Sequence, residues 1–199
     1  MDGRIIGNQQ HKPLMGMFNK ELELSIAAVF DEEVGMRALS IRQPHLYCIT
    51  HLGKDVENRT WKPPLHIIGK RIALHASGKL DGRDGFDMAS SIAGFDLKTA
   101  VSDMPLGAIV ATAVVAGWFK TDDVRDRVSV TVGHGIFPAS VYASKWYLGD
   151  IGWALQDVIV LPEPIPCKGA LSLWKVPSSA MPEIIHSIAV GDNSICITN

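Results

Sequence analysis

The run Ala108-Ile109-Val110-Ala111-Thr112-Ala113-Val114-Val115-Ala116-Gly117-Trp118 constrains this chain most. It is the longest β-branched stretch present, and β-branched residues fit a pleated, buried surface better than a helix. Pro105-Leu106-Gly107 turns the chain into it. We read it as a central strand, to which the other extended segments must be matched.

Those segments are short. Arg37-Ala38-Leu39-Ser40-Ile41-Arg42 alternates polar and apolar residues, the period of a half-buried strand. Pro44 ends it and opens a short helix over His45–Leu52, which Gly53 closes. Asp55–Trp61, Arg71–Ala76, Ile151–Val160 and Gly169–Val176 complete the expected strands. Residues 81–103 hold one or two short helices, and a further helix is expected over Ser179–Ile188. Pro162, Pro164 and Pro166 mark an extended connection. Asp122–Tyr142 reads as a loop-like insertion with Gly133-His134-Gly135 at its tip. About six strands with short flanking helices, and no alternating βαβ rhythm, give an α+β chain built as a small mixed β-barrel.

The remaining segments bound the domain. Residues 1–35 show no strand pattern and are expected to be a weakly ordered extension, with the domain over 36–190 and a flexible tail at 191–199. At 199 residues, one core is enough. No run approaches the length of a membrane span, and the start lacks the apolar core of a signal peptide, so no membrane partner is expected. Three dispersed cysteines, Cys48, Cys167 and Cys196, argue against a disulfide framework and for a reducing cytoplasm. No C-x-x-C or H-x-x-x-H spacing occurs, so neither a metal site nor a cofactor is expected.

Net charge is −2, but it is unevenly spread. Residues 36–79 carry eight bases against two acids, whereas 80–126 carry four bases against eight acids. Within the basic part lies Gly53-Lys54-Asp55-Val56-Glu57-Asn58-Arg59-Thr60-Trp61. Glu57 and Arg59 are two apart, so a strand points both to one face, and a local twist can turn Lys54 towards them. A cation, an anion and a cation together form either an exposed ion network or a polar pocket for a phosphate or a base edge. The basic excess likewise fits either an anion-attracting field or bases scattered over a solvated surface.

Several separated motifs, in order, resemble the ASCH family of PUA-like barrels. They are Leu39-Ser40-Ile41-Arg42-Gln43-Pro44, the Gly53-Lys54-x-x-Glu57-x-Arg59-x-Trp61 segment, His75-Ala76-Ser77, Gly107-Ala108-Ile109-Val110, Gly152-Trp153-Ala154-Leu155 and Pro166-Cys167-Lys168-Gly169. The resemblance covers roughly 36–176. It implies a barrel with a cleft between barrel and helices that binds RNA, a nucleoside or a nucleotide. The ligand-binding set expected on this basis is Gln43, Lys54, Glu57, Arg59, Trp61, His75 and Ser77. Trp146 and Tyr147 are further candidates for stacking on bases, whereas Trp153 and Trp174 read as core packing. His75 also reads as an ordinary strand histidine. Long duplex DNA, which needs a broad basic face, is not an expected partner.

Some family members look like small amidohydrolases of acetylated cytidine, and others look like ribonucleases. The amidohydrolase pattern has a Thr three residues after the Lys, where this chain has Glu57. A carboxylate supplies no hydroxyl nucleophile, although it can act as a general base for water. If the chain is an enzyme, Lys54 and Glu57 are its catalytic candidates.

Overall fold

The structure is a computed structural model and describes residues 35–121 and 130–193. The expectations for the N-terminal extension and for the last residues of the tail lie outside the described residues. Seven strands form one mixed sheet: β1 (Arg37–Gln43), β2 (Val56–Arg59), β3 (Arg71–Leu80), β4 (Ala108–Thr121), β5 (Val130–Gly135), β6 (Ile151–Pro166) and β7 (Leu173–Lys175). The helices are α1 (His45–His51), α2 (Arg83–Ala93) and α3 (Met181–Asn193). The strand order is β2-β6-β4-β3-β1-β7, with β5 also paired to β4. The apolar run is therefore central, antiparallel to β3, β5 and β6. β1 and β3 are the parallel pair.

Two expectations about this sheet need correction. Gly133-His134-Gly135 is not a loop tip, because its backbone belongs to β5. The three prolines after Val160 do not leave the sheet, since β6 runs through them and pairs Pro166 with Ala108. The register shift between Ile109 and Ala111 passes over Pro162 and Pro164, which cannot donate.

The sheet is also not a closed barrel. Its edge strands, β2 and β7, do not pair with each other. β7 is three residues long and pairs only with Arg37–Leu39, so the outer edge of β1 beyond Leu39 is left without a strand neighbour. Trp153, Ile72, Leu74, Leu39 and Ile41 fill the concave face. The opposite face of β1, β3 and β4 is covered by α3 through Ile184 and Ile188, packed on Ala38, Ala73 and Ile109. Alternation along β1 and β3 thus serves two cores, which explains why both faces of these strands are apolar.

α1 is fixed at both ends. Gln43 is buried; its Oε1 accepts from the Tyr47 N–H at 2.8 Å and its Nε2 donates to the Pro105 carbonyl at 3.2 Å. One side chain therefore satisfies an unpaired N–H of the first helical turn and ties α1 to the turn before β4. At the far end Gly53, at φ +66°, reverses the chain, and the Lys54 N–H closes onto the Cys48 carbonyl at 3.0 Å. Gln43→Ala leaves a buried donor and a buried acceptor unpaired. It is expected to cost about 1–3 kcal/mol, read from the denaturant midpoint at unchanged slope.

Candidate functional site

Gly53 delivers Lys54 beneath α1, and β2 then alternates. Its cross-strand partners fix which way its side chains point. Glu57 lies opposite Trp153 and Arg59 opposite Ile151, both of the concave core, whereas Val56 lies opposite Ala154 of the outer cluster. Asn58 faces outwards too: its Nδ2 donates to the Trp146 carbonyl at 2.8 Å and its Oδ1 accepts from the Leu148 N–H at 3.0 Å. Asp55 accepts from the Ser144 hydroxyl. One set of residues thus anchors the edge strand, and the alternate set lines the end of the concave face.

On that face Lys54, Glu57 and Arg59 converge. Lys54 Nζ lies 2.5 Å from Glu57 Oε2, and an Arg59 terminal nitrogen lies 3.0 Å from Glu57 Oε1. The same arginine nitrogen donates to the Ser40 carbonyl at 3.0 Å. Arg59 therefore bridges the open edge between β2 and β1, where no strand hydrogen bond exists. Lys54 and Glu57 are only 2% and 5% exposed, while the Arg59 side chain is 23% exposed. Burial alone would push the Glu57 carboxyl up. The charges of Lys54 and Arg59 and the Lys54 hydrogen bond outweigh it and hold Glu57 below its ordinary value. Two cations share one carboxylate, leaving one net positive charge in a weakly solvated place. Arg59 Nε, also buried, has no partner among the described residues.

His45, at the start of α1, completes the rim. Its Nε2 lies 3.1 Å from Asp81 Oδ2, and Arg42 lies 3.4 Å from the other Asp81 oxygen. Burial, and then the Lys54 charge, hold the His45 imidazole below its ordinary value, so it is neutral near pH 7. Asp81 is held low despite burial, by the Gly82 N–H, His45 and Arg42. The sequence reading missed both His45 and Asp81. Their pairing joins the residue after Pro44 to the residue after β3, and nothing in local spacing announces it.

His75 lies on the other face. Its partner in the β1–β3 ladder is Ser40. Its Nε2 lies 3.0 Å from the Cys167 carbonyl and must carry the proton, because a carbonyl only accepts. Nδ1 therefore accepts from the Ser40 hydroxyl at 3.2 Å, and that oxygen accepts from Trp174 Nε1 at 3.1 Å. His75 is 1% exposed, and burial lowers its pKa. A side chain at Gly169 would overlap the His75 ring and come within 2.8 Å of Ser40 Oγ. This satisfied chain of hydrogen bonds joins β1, β3, β7 and the Cys167–Gly169 turn. Ser40 is its one link to the charged cluster, through its carbonyl. Ser77 is half-buried two residues further along β3.

The aromatic candidates divide. Trp61 is half-buried and meets Trp153 edge-on at 4.6 Å, closing the end of the concave core next to β2. Trp146 and Tyr147 are buried, the first against Cys48 and Phe86, the second against Phe119 and Val141. Their packing leaves neither ring free to stack on a base. Trp153 is fully buried, and Trp174 is held by Ser40 and packs against the α3-side core. Among the described residues no group of three or more metal-ligating side chains forms, and no helix is long and apolar enough to cross a membrane.

No family model matches the sequence, and no curated protein matches it. Among solved structures, the chain is similar to the crystal structure of ASCH from Zymomonas mobilis, at 13% identity and a TM-score of 0.41. That likeness covers 75% of this chain and 93% of the other. At that TM-score it carries nothing about the site.

Proposed function

We propose that residues 36–190 form an ASCH-type, PUA-like domain that binds single-stranded RNA or a nucleoside-containing ligand in the cytoplasm. One observation carries the reading: the charged cluster at the end of the concave face holds one net positive charge and leaves the Arg59 side chain 23% exposed. A planar guanidinium suits the oxygens of a phosphate, and its anchoring by Glu57 and Ser40 fixes it before a ligand arrives. The ordered motifs of the sequence support the same reading. Binding is favoured over hydrolysis by Lys54 and Glu57. Both Glu57 oxygens are engaged by cations, and general-base work would require releasing one of them.

A site this compact contacts one or two phosphates. The logarithm of the affinity for a labelled octauridylate should therefore fall with the logarithm of salt with a slope of only about −0.7 to −1.4. The octamer should also bind more tightly than a duplex DNA of twenty base pairs, titrated by fluorescence anisotropy at two salt concentrations. Tighter binding of the duplex, or a slope several times steeper, would contradict the reading.

A further inference from the structure

We propose that His45 is the residue by which this site tells RNA from DNA, its Nδ1 accepting a hydrogen bond from a ribose 2′-hydroxyl. The proposal rests on the phosphate-binding reading above. Solvent reaches the cluster at Arg59 and at His45, whose side chains are 23% and 20% exposed. The buried polar groups around them are committed, while Arg42 and Asp81 on the same rim are 60% and 27% exposed. Both Glu57 oxygens take cations, Lys54 takes Glu57, and Asp81 takes His45 and Arg42. A carboxylate only accepts, so His45 Nε2 carries its proton and Nδ1 carries a lone pair. Nδ1 has no partner among the described residues, and it is not among the buried polar atoms left unpaired. Beside the Asp81 carboxylate, whose negative charge disfavours a phosphate ligand, the rim thus offers a neutral acceptor, held in a fixed tautomer by Asp81.

The chemistry of a nucleotide matches that pair. The 2′-hydroxyl sits on the carbon next to the one whose oxygen bears the 3′-phosphate. A group that accepts from that hydroxyl must therefore lie beside the group that holds the phosphate. DNA lacks the hydroxyl and gains nothing from the acceptor. The charged and titratable groups facing His45 are Lys54 from the turn after α1, Glu57 from β2 and Asp81 after β3, with Arg42 of β1 behind Asp81.

The test compares labelled octauridylate with its deoxyuridine counterpart, bound to the whole protein at pH 8 and at an acidic pH where nuclear magnetic resonance shows His45 protonated. The wild type should prefer the ribo strand by about five- to tenfold at pH 8, the size of one good hydrogen bond. His45→Phe should erase that preference. Acidifying the wild type until the His45 ring is protonated, as followed by its own ring-proton resonances, should also erase it, because protonated Nδ1 becomes a donor. The added charge should at the same time tighten both strands. Acidification needs no substitution, so it decides the matter even where His45→Phe fails to fold. Equal affinity of the two strands for the wild type at pH 8 overturns the role of His45 and leaves the phosphate site standing. A preference that survives either perturbation does the same. No binding of either strand overturns both.

Discussion

Glu57→Ala is expected to destabilise the protein by about 3–5 kcal/mol, the largest effect of any single change in the site. The carboxylate lies between Lys54 Nζ and Arg59 and is 5% exposed. Removing it leaves two cations facing each other, one of them, Lys54, buried to 2% exposure. Losing one partner of a buried ion pair costs far more than the intact pair contributes, because the remaining charge keeps its desolvation penalty without its attraction. The same cluster sets a pH dependence. Glu57 is held below its ordinary value of 4.5 in the folded state. Its contribution is therefore fully present above that value and is lost as pH falls through the lower, folded one. Chemical denaturation of the wild type should show this loss below about pH 4.5. Glu57→Ala should lack the Glu57 component of that loss. A variant as stable as the wild type at pH 7 would show that the cluster is solvated rather than buried.

Arg59→Ala is expected to lower affinity for octauridylate by about 10- to 100-fold, the equivalent of one or two charge-assisted hydrogen bonds. It should disturb the fold less than Glu57→Ala does. Glu57 keeps Lys54, and the Ser40 carbonyl lies at an open edge that water can reach. Arg59→Lys keeps the charge but loses the planar fork, and should recover only part of the affinity. Anisotropy titration of the three proteins at one salt concentration checks this. Equal affinities would place the phosphate elsewhere.

The residues that spoke most clearly in the sequence are those whose neighbours lie close along the chain. Pro44 and Gly53 bound α1, and the two-residue spacing of Glu57 and Arg59 put both on one face, as the register with Trp153 and Ile151 confirms. The apolar run of β4 was legible as a central strand for the same local reason. What stayed hidden depends on long-range pairing. The Asp81–His45 contact, the bridge from Arg59 to Ser40 and the Ser40–His75–Trp174 chain join segments 19 to 134 residues apart. The open edge was equally illegible. Leu171 and Ser172 looked like part of a strand, but only Leu173–Lys175 pairs, because Ser172 takes a left-handed φ of 60° that breaks the extended run. Trp146 and Tyr147 showed the limits of composition. Two aromatic residues in a loop look like a stacking platform until Asn58 and Asp55 draw that loop onto β2 and bury both rings.

The central claim, that the Lys54–Glu57–Arg59 cluster receives a phosphate, is tested most directly at the partly exposed Arg59 guanidinium, whose buried Nε–H reports on the charge placed against its outer nitrogens. Its N–H resonance can be assigned by comparing wild type with Arg59→Lys and followed by nuclear magnetic resonance as octauridylate is added. The account predicts that this signal shifts and saturates with the same dissociation constant as the anisotropy titration, and that the shift is absent with uncharged uridine. Saturable binding of the octamer that leaves the Arg59 Nε–H signal in place would contradict it.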